Sequence, residues 1–338
     1  MSDTLLGIFS WDFIGSVIRV TTPILLAAMG ALVANLAGSP NIALEGTMLM
    51  SAFIGVIVSG FTQNLWLALF AGVLSGITMS LVLAFFALKM KTDIILAAIA
   101  LNIFSTGGTI FFLSTLTGDK GSSASVNSLV FPNIDLPLIK DIPVLGEILS
   151  GHHIITYVAI VLIFVMQYVL YHTPLGLRIR AVGENPDAAE SVGISVNKTR
   201  LIALIISGTL TSLGGLFLSM GYVSWFARDM TAGRGFIALA AQALGGVSAF
   251  GVALGALLFG FAEALSYSLQ FLKVPYEFTQ SLPFIITIAV LAFYAYIRLP
   301  QNVKRRGAQS GETRNGRLFQ RVWEYFSRRA GIRKGVDS

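Results

Sequence analysis

Two carboxylates, Glu45 and Glu263, stand inside otherwise apolar stretches of this chain, and an ionised side chain at the centre of a bilayer costs at least about 2.5 to 3.5 kcal/mol. Such groups must face protein or water. They mark a solute or proton route, or they tie helices together; Glu45, beside Gly46, could cap a broken helix, and Glu263 could be neutral. Nearby in type, Asn35, Asn41, Asn102, Gln242 and Gln280 offer paired donors and acceptors suited to a hydroxylated or nucleobase-bearing solute, while Phe104, Trp225, Phe226 and Phe236 offer ring faces for stacking. Interhelical hydrogen bonding explains each polar residue equally well. The candidate translocation pathway is accordingly Asn41, Glu45, Asn102, Trp225, Phe236, Gln242 and Glu263.

Other chemistries find no residues to carry them. A G-x-x-x-x-G-K-[ST] phosphate loop is missing from the sequence, so the chain is not itself an ATPase. His152, His153 and His172 fall at the ends of apolar runs and form no HExxH zinc motif. With no G-x-S-x-G elbow and no cysteine, neither a hydrolase nucleophile nor thiolate metal ligands are available. No catalytic residue and no metal ligand is assigned.

The elements that must position these residues are membrane helices. Of 338 residues 55% are hydrophobic and only 12% charged, with a mean hydropathy of +0.77, against roughly 25% charged residues in soluble domains. Apolar runs near the 20 or so residues needed to cross a bilayer fall at 14–36, 42–62, 65–88, 93–117, 153–172, 200–222, 233–249, 251–272 and 279–297. The expected fold is all-α, a polytopic bundle of about nine spans (eight to ten) over residues 1–297. The pair within 233–272 is short for two full crossings and rich in glycine, which suggests tight packing, tilt or a re-entrant break. Gly208, Gly214, Gly215, Gly245, Gly246, Gly251, Gly255 and Gly260 are expected to let helices approach closely. The opening Met-Ser-Asp-Thr lacks the basic segment of a secretory signal, so the first span is expected to be retained.

Charge sets the orientation. The net charge is +6, yet the eleven Lys and Arg from Arg298 onward face only Glu312, Glu324 and Asp337, so residues 298–338 form a basic tail and the rest of the chain is slightly acidic. Lys89, Lys91, Arg178, Arg180, Lys198, Arg200 and the tail belong in the cytoplasm under the positive-inside rule, in a cell inner or plasma membrane. Span parity agrees. Residues 117–151 then face outward, as does the N-terminus if there are nine spans. The tail suits anionic lipid, as a surface helix around Arg317 to Arg329 or as a solvated end, and no nucleic-acid role is expected.

One polar island, residues 173–199, interrupts the greasy sequence. Asn185-Pro186 punctuates the chain, Pro186 suits the first turn of a short helix through Asp187, Ala188, Ala189, Glu190 and Ser191, and Gly193 would end it. Acidic residues near its start suit the helix dipole, and two adjacent alanines would admit a close partner surface. From periodicity alone it is either a docking element or an ordinary connection.

Ala181-Val-Gly-Glu-Asn-Pro-Asp-Ala-Ala-Glu-Ser-Val-Gly-Ile194 resembles the coupling loop of ABC importer permeases of the branched-chain amino acid, simple sugar and nucleoside group. Asn41-Ile-Ala-Leu-Glu-Gly-Thr-Met48 is similar to an early segment of the same permeases, and Met230 to Ala241 with Gly255 to Glu263 to a later one. The resemblance spans residues 20 to 297 and, through Glu45 and Thr231-Ala-Gly-Arg-Gly-Phe-Ile237, is most like the nucleoside branch. It implies a permease subunit for a small polar solute, a nucleoside or next a simple sugar. It also implies separate ABC ATP-binding subunits holding ATP and Mg, with no cofactor in this chain, a second and possibly non-identical permease chain, and an extracytoplasmic solute-binding protein. Gly183, Glu184, Asn185, Pro186, Asp187, Ala188, Ala189, Glu190 and Gly193 would then couple to the ATPase. An ion-coupled secondary transporter using Glu45 or Glu263 is the rival reading.

Overall fold

The computed structural model describes residues 11–119, 121–134 and 150–270, together with positions 285, 288, 289 and 292. Ten α-helices follow in order: α1 Trp11–Leu36, α2 Leu44–Thr62, α3 Leu65–Ala84 continued by a π-helical turn Phe85–Lys89, α4 Ile94–Thr117, α5 Ile154–His172, α6 Pro174–Glu184, α7 Pro186–Ser191, α8 Val196–Phe217 continued by a π turn Leu218–Tyr222, α9 Arg234–Gly245 and α10 Ala249–Gln270. Two short strands, Asn133–Ile134 and His152–His153, pair antiparallel. Among the described residues seven helices are long and apolar enough to cross a membrane: α1 to α5, α8 and α10. The expected span at 279–297 and the tail at 298–338 lie outside the described residues. The chain divides into units Met1–Thr287 and Ile288–Ser338, and all that follows concerns the first.

Local chemistry sets the helix ends. The Asn64 carboxamide oxygen accepts from the Trp66 and Leu67 amides at 3.0 and 3.2 Å, and Asp93 does the same for Ile95 and Leu96 at 2.7 and 3.1 Å, satisfying amides that the first helical turn leaves unpaired. Small residues in α1, among them Ala27, Ala28, Ala31 and Ala34, are fully or almost fully buried, and α1 runs through the middle of the bundle against α8, α9 and α10. In contrast α4 and α5 turn large apolar side chains outward, such as Ile103, Phe111, Val161 and Phe164, as helices facing lipid must. Seven of the eight glycines expected to permit close approach do so, since an added Cβ would come within 3 Å of a neighbour; Gly246 instead faces open space with φ of +71°, a turn position.

Of the readings open for the short candidate span at 233–249, the structure shows a break. Only α9, 12 residues, is helical there, about 18 Å of rise against a hydrocarbon core of about 30 Å. Gly233 at φ +82° opens it and Gly246 closes it. Residues 223–233 lead in as turns anchored at one end of the bundle, where Ser123 and Phe226 exchange two 2.8 Å hydrogen bonds. The turn after α9 lies at the opposite end, beside the last turn of α5, where Tyr171 donates to the Val247 carbonyl at 2.8 Å. The segment therefore still traverses the bundle, as an irregular stretch followed by a half-helix, which keeps the crossing parity of the sequence reading. A second break precedes α2: residues 37–43 run inward from the α6–α7 end before α2 begins.

Candidate functional site

The two breaks meet. Asn41 donates to the Ser207 hydroxyl at 3.0 Å, and Ser207 lies 11 residues into α8 from Val196, about 17 Å along its axis. That depth is near the middle of a bilayer core. The other Asn41 group, its carbonyl oxygen, accepts from the Ala43 amide at 3.0 Å, just before α2. Asn102 of α4 accepts from the Gly46 amide at 2.8 Å and donates to the Ile42 carbonyl at 3.0 Å. Each asparagine thus pairs backbone groups at the break and first turn of α2, at Ala43 for Asn41 and at Ile42 and Gly46 for Asn102, which a water-poor interior would otherwise leave unpaired.

Glu45, in the first turn of α2, directs its carboxylate onto the start of α9. One oxygen accepts from the Gly233 amide at 2.8 Å and the other from the Gly235 amide at 2.7 Å. It caps a broken helix, as the sequence allowed, but the helix is α9, 188 residues away, and not its own. Two helix N-termini converge here, each carrying about half a positive charge, and together they offset the carboxylate. Gly235 makes the approach possible: a Cβ there would stand 2.5 Å from the Glu45 amide nitrogen and 2.6 Å from its Cα.

Glu263 of α10 holds the opposite side of the same turn. Its Oε1 forms an ion pair with Arg234 at 2.5 Å and accepts from the Tyr267 hydroxyl at 2.8 Å, while the guanidinium also reaches the Tyr267 oxygen at 2.6 Å and the Met230 and Thr231 carbonyls at 3.1 and 3.3 Å. Glu263 thus faces a guanidinium across the start of α9. Both intramembrane carboxylates therefore grip residues 233–235 from two sides. Ala232, immediately before them, takes a left-handed φ of +47°, a strained conformation for a residue with a Cβ. Arg234 and Tyr267 were missed as site residues. The signal for Arg234 was present, a cation between two apolar runs that needs a partner.

Other candidates separate. Phe236, half-exposed at 49%, follows the Glu45 contact directly, whereas Trp225, 42% exposed, sits in the irregular stretch above it. Gln242 is buried and donates weakly to the Gly246 carbonyl at 3.3 Å, closing the far end of α9. Phe226 is buried against Phe53 with ring centroids 5.3 Å apart, so it is core; Gln280 lies outside the described residues. A groove of about 910 Å³ between α2, α3 and α4 is lined chiefly by apolar residues such as Met50, Leu74, Met79, Leu96 and Phe104, with hydroxyls only from Ser75, Thr78 and Thr92.

Outside the bundle, the polar island forms α6 and α7. Thr173 caps α6 through the Gly176 amide at 3.3 Å, Asn185 caps α7 through the Ala188 amide at 3.1 Å, and Pro174 and Pro186 occupy first-turn positions. Gly193 ends the pair at φ +85°, its amide bonded to the Glu190 carbonyl at 2.9 Å. Glu184, Asn185, Asp187, Ala188, Glu190 and Val192 form an exposed tip. The two alanines are not equivalent: Ala189 is 4% exposed and faces its own chain, so only Ala188 is presented outward. Val192, 75% exposed, is an apolar contact that the sequence reading passed over.

A multi-pass bundle in which the half-helix α9 meets the start of α2, with a capped hairpin outside it, suits a membrane transport subunit. The family described as Branched-chain amino acid transport system / permease component matches residues 13–291; the chain belongs to it and is a permease subunit of an ABC transporter, not an enzyme. The Guanosine ABC transporter permease protein NupQ of Bacillus subtilis is 36% identical over 280 residues, 80% of this chain and 87% of that protein. The Nucleoside ABC transporter permease protein NupC of Lactococcus lactis is 30% identical over 292 residues, 83% of this chain and 91% of that protein. TsgC13 of Haloferax volcanii, whose name assigns it provisionally to glucose ABC transport, is also 30% identical, over 86% of this chain and 93% of that protein.

Proposed function

We propose that this chain forms the translocation pathway of an ABC importer for a nucleoside. The observation that carries the solute class is its similarity to NupQ and NupC, named as guanosine and nucleoside permeases, at 36% and 30% identity across most of their length. The half-exposed rings of Trp225 and Phe236 suit a base face, and α9 is held at its start by Glu45, Glu263 and Arg234. Asn41, Asn102 and Gln242 support the broken helices; the pathway passes over the surface they create.

The α6–α7 hairpin, with Glu184, Asp187, Ala188 and Val192 outward, docks in a cleft of a separate ATP-binding subunit, and Lys89, Lys91, Arg178, Arg180, Lys198 and Arg200 keep that end in the cytoplasm. The complex contains two ATPase subunits, which bind ATP and Mg, a second permease chain and an extracytoplasmic solute-binding protein. Residues 1–297 form the transmembrane domain and 298–338 a basic cytoplasmic tail. Glucose is the second reading, favoured by the 30% identity to TsgC13.

Uptake of labelled guanosine by cells expressing the complete transporter, in a host without other nucleoside uptake, tests the reading. Uptake abolished by ATP depletion, insensitive to an uncoupler and competed by nucleosides is expected. Competition by glucose and not by nucleosides would move the solute to sugars, and loss with the uncoupler alone would make this an ion-coupled carrier.

A further inference from the structure

Both broken elements that meet at Glu45 are also gripped at the hairpin end of the bundle. Gly183 of α6 lies on the chain at Leu36 and Gly38, where a Cβ would stand 2.0 Å from the Leu36 carbonyl oxygen, and Arg200 Nε donates to the Ala37 carbonyl at 3.3 Å. From there residues 38–44 lead straight to Glu45. The second grip is made by side chains. The Arg180 guanidinium lies 4.4 Å from the Tyr171 ring centroid, the Tyr171 hydroxyl donates to Val247 at 2.8 Å, and the Gln167 side-chain oxygen accepts from the Ala249 amide at 2.9 Å. Val247 and Ala249 flank the turn that ends α9.

The parts between these grips are stiff. Gly176 packs against the Val169 carbonyl and the Leu170 Cα, leaving no room for a Cβ, so the last turn of α5 and the start of α6 form one tight elbow. An α-helix is a rod, and α9 joins the Val247 turn to the Gly233 and Gly235 amides held by Glu45. A push on α6 therefore reaches Glu45 along two routes, one through the backbone at Gly183 and one through Arg180, Tyr171 and α9. We propose that Tyr171 and Arg180 are positioning residues that convert displacement of the hairpin into displacement of α9, and so set whether the α2–α9 junction opens. The proposal rests on the reading of the hairpin as the ATPase contact. The two side chains can be removed from the route one interaction at a time.

The test uses the complete transporter, reconstituted in liposomes with its ATPase subunits and binding protein, with guanosine as solute. Tyr171→Phe keeps the ring beneath Arg180 and deletes the bond to Val247; Arg180→Met keeps the stem and deletes the cation. Each variant is expected to assemble and to hydrolyse ATP within about twofold of the native rate, while solute moved per ATP falls about fivefold, the low end of measured coupling between sites. An unchanged ratio in both variants would overturn the proposal, as would failure of both to yield folded permease, which would make these contacts structural. If the native chain bound no ATPase, or took up solute without ATP, the functional reading itself would fall instead.

Discussion

Replacing Gly235 by alanine isolates the junction between the two broken elements. In an ordinary helix the change gains up to about 1 kcal/mol, because alanine loses less backbone freedom on folding. Here the new Cβ would lie 2.5 and 2.6 Å from the Glu45 amide nitrogen and Cα, about 1 Å inside van der Waals contact, and those atoms are backbone that no rotamer change can move. Overpacking of this kind costs about 1 to 3 kcal/mol. Backing α9 away from α2 would also stretch the bonds from Gly233 and Gly235 to Glu45, now 2.8 and 2.7 Å, and charge-assisted bonds contribute about 1.5 to 3 kcal/mol each. The repulsive side wins, for a net loss of about 2 to 4 kcal/mol. Gly107→Ala provides the control, since that position has no neighbour within 4 Å and lies mid-helix in α4. Unfolding of the purified permease in mixed micelles by SDS titration should place Gly235→Ala below the native protein and Gly107→Ala at or above it. A Gly235→Ala protein as stable as the native one would refute the close junction at Glu45.

Glu263→Gln should cost about 3 to 5 kcal/mol by stranding the Arg234 charge, whereas Glu263→Gln combined with Arg234→Met should recover part of that loss; SDS titration of the single and double variants reads the difference. Glu45→Ala strips acceptors from two buried amides and should cost about 2 to 6 kcal/mol, with guanosine uptake lost even where folded protein survives in the membrane fraction. Ala188→Arg and Ala189→Arg should part company: the first leaves the permease folded but lowers recovery of the ATPase in co-purification, and the second lowers the yield of folded permease itself. Asn185→Ala removes the α7 cap, worth about 1 kcal/mol, and should weaken ATPase co-purification without changing the stability of the bundle.

The hairpin was the most legible part of the chain. Pro186 and Gly193 act within a few residues of themselves, so their starting and stopping roles follow from order in sequence, and α7 runs between them as expected; α6, started by Thr173 and Pro174, was not read from the sequence. Five of the nine expected spans match continuous membrane-length α-helices, and two more, 65–88 and 200–222, match helices finished by π turns. At 233–249 the sequence left tight packing, tilt and a re-entrant break open, because composition registers apolar content and not where the backbone leaves the helix; only the φ values at Ala232 and Gly233 and the Glu45 bonds fix the start of α9.

Residue type alone required that Glu45 and Glu263 not be left facing lipid, since an ionised group there costs more than most single contacts return. It could not say what they face. Their partners are the Gly233 and Gly235 amides, 188 and 190 residues from Glu45, and Arg234, 29 residues from Glu263. Contacts at such separations depend on how the helices are arranged in space, which residue spacing does not encode. Tertiary structure alone brought both carboxylates to one turn of one half-helix, turned Ala189 inward while leaving Ala188 outward, and set Tyr171 against the end of α9.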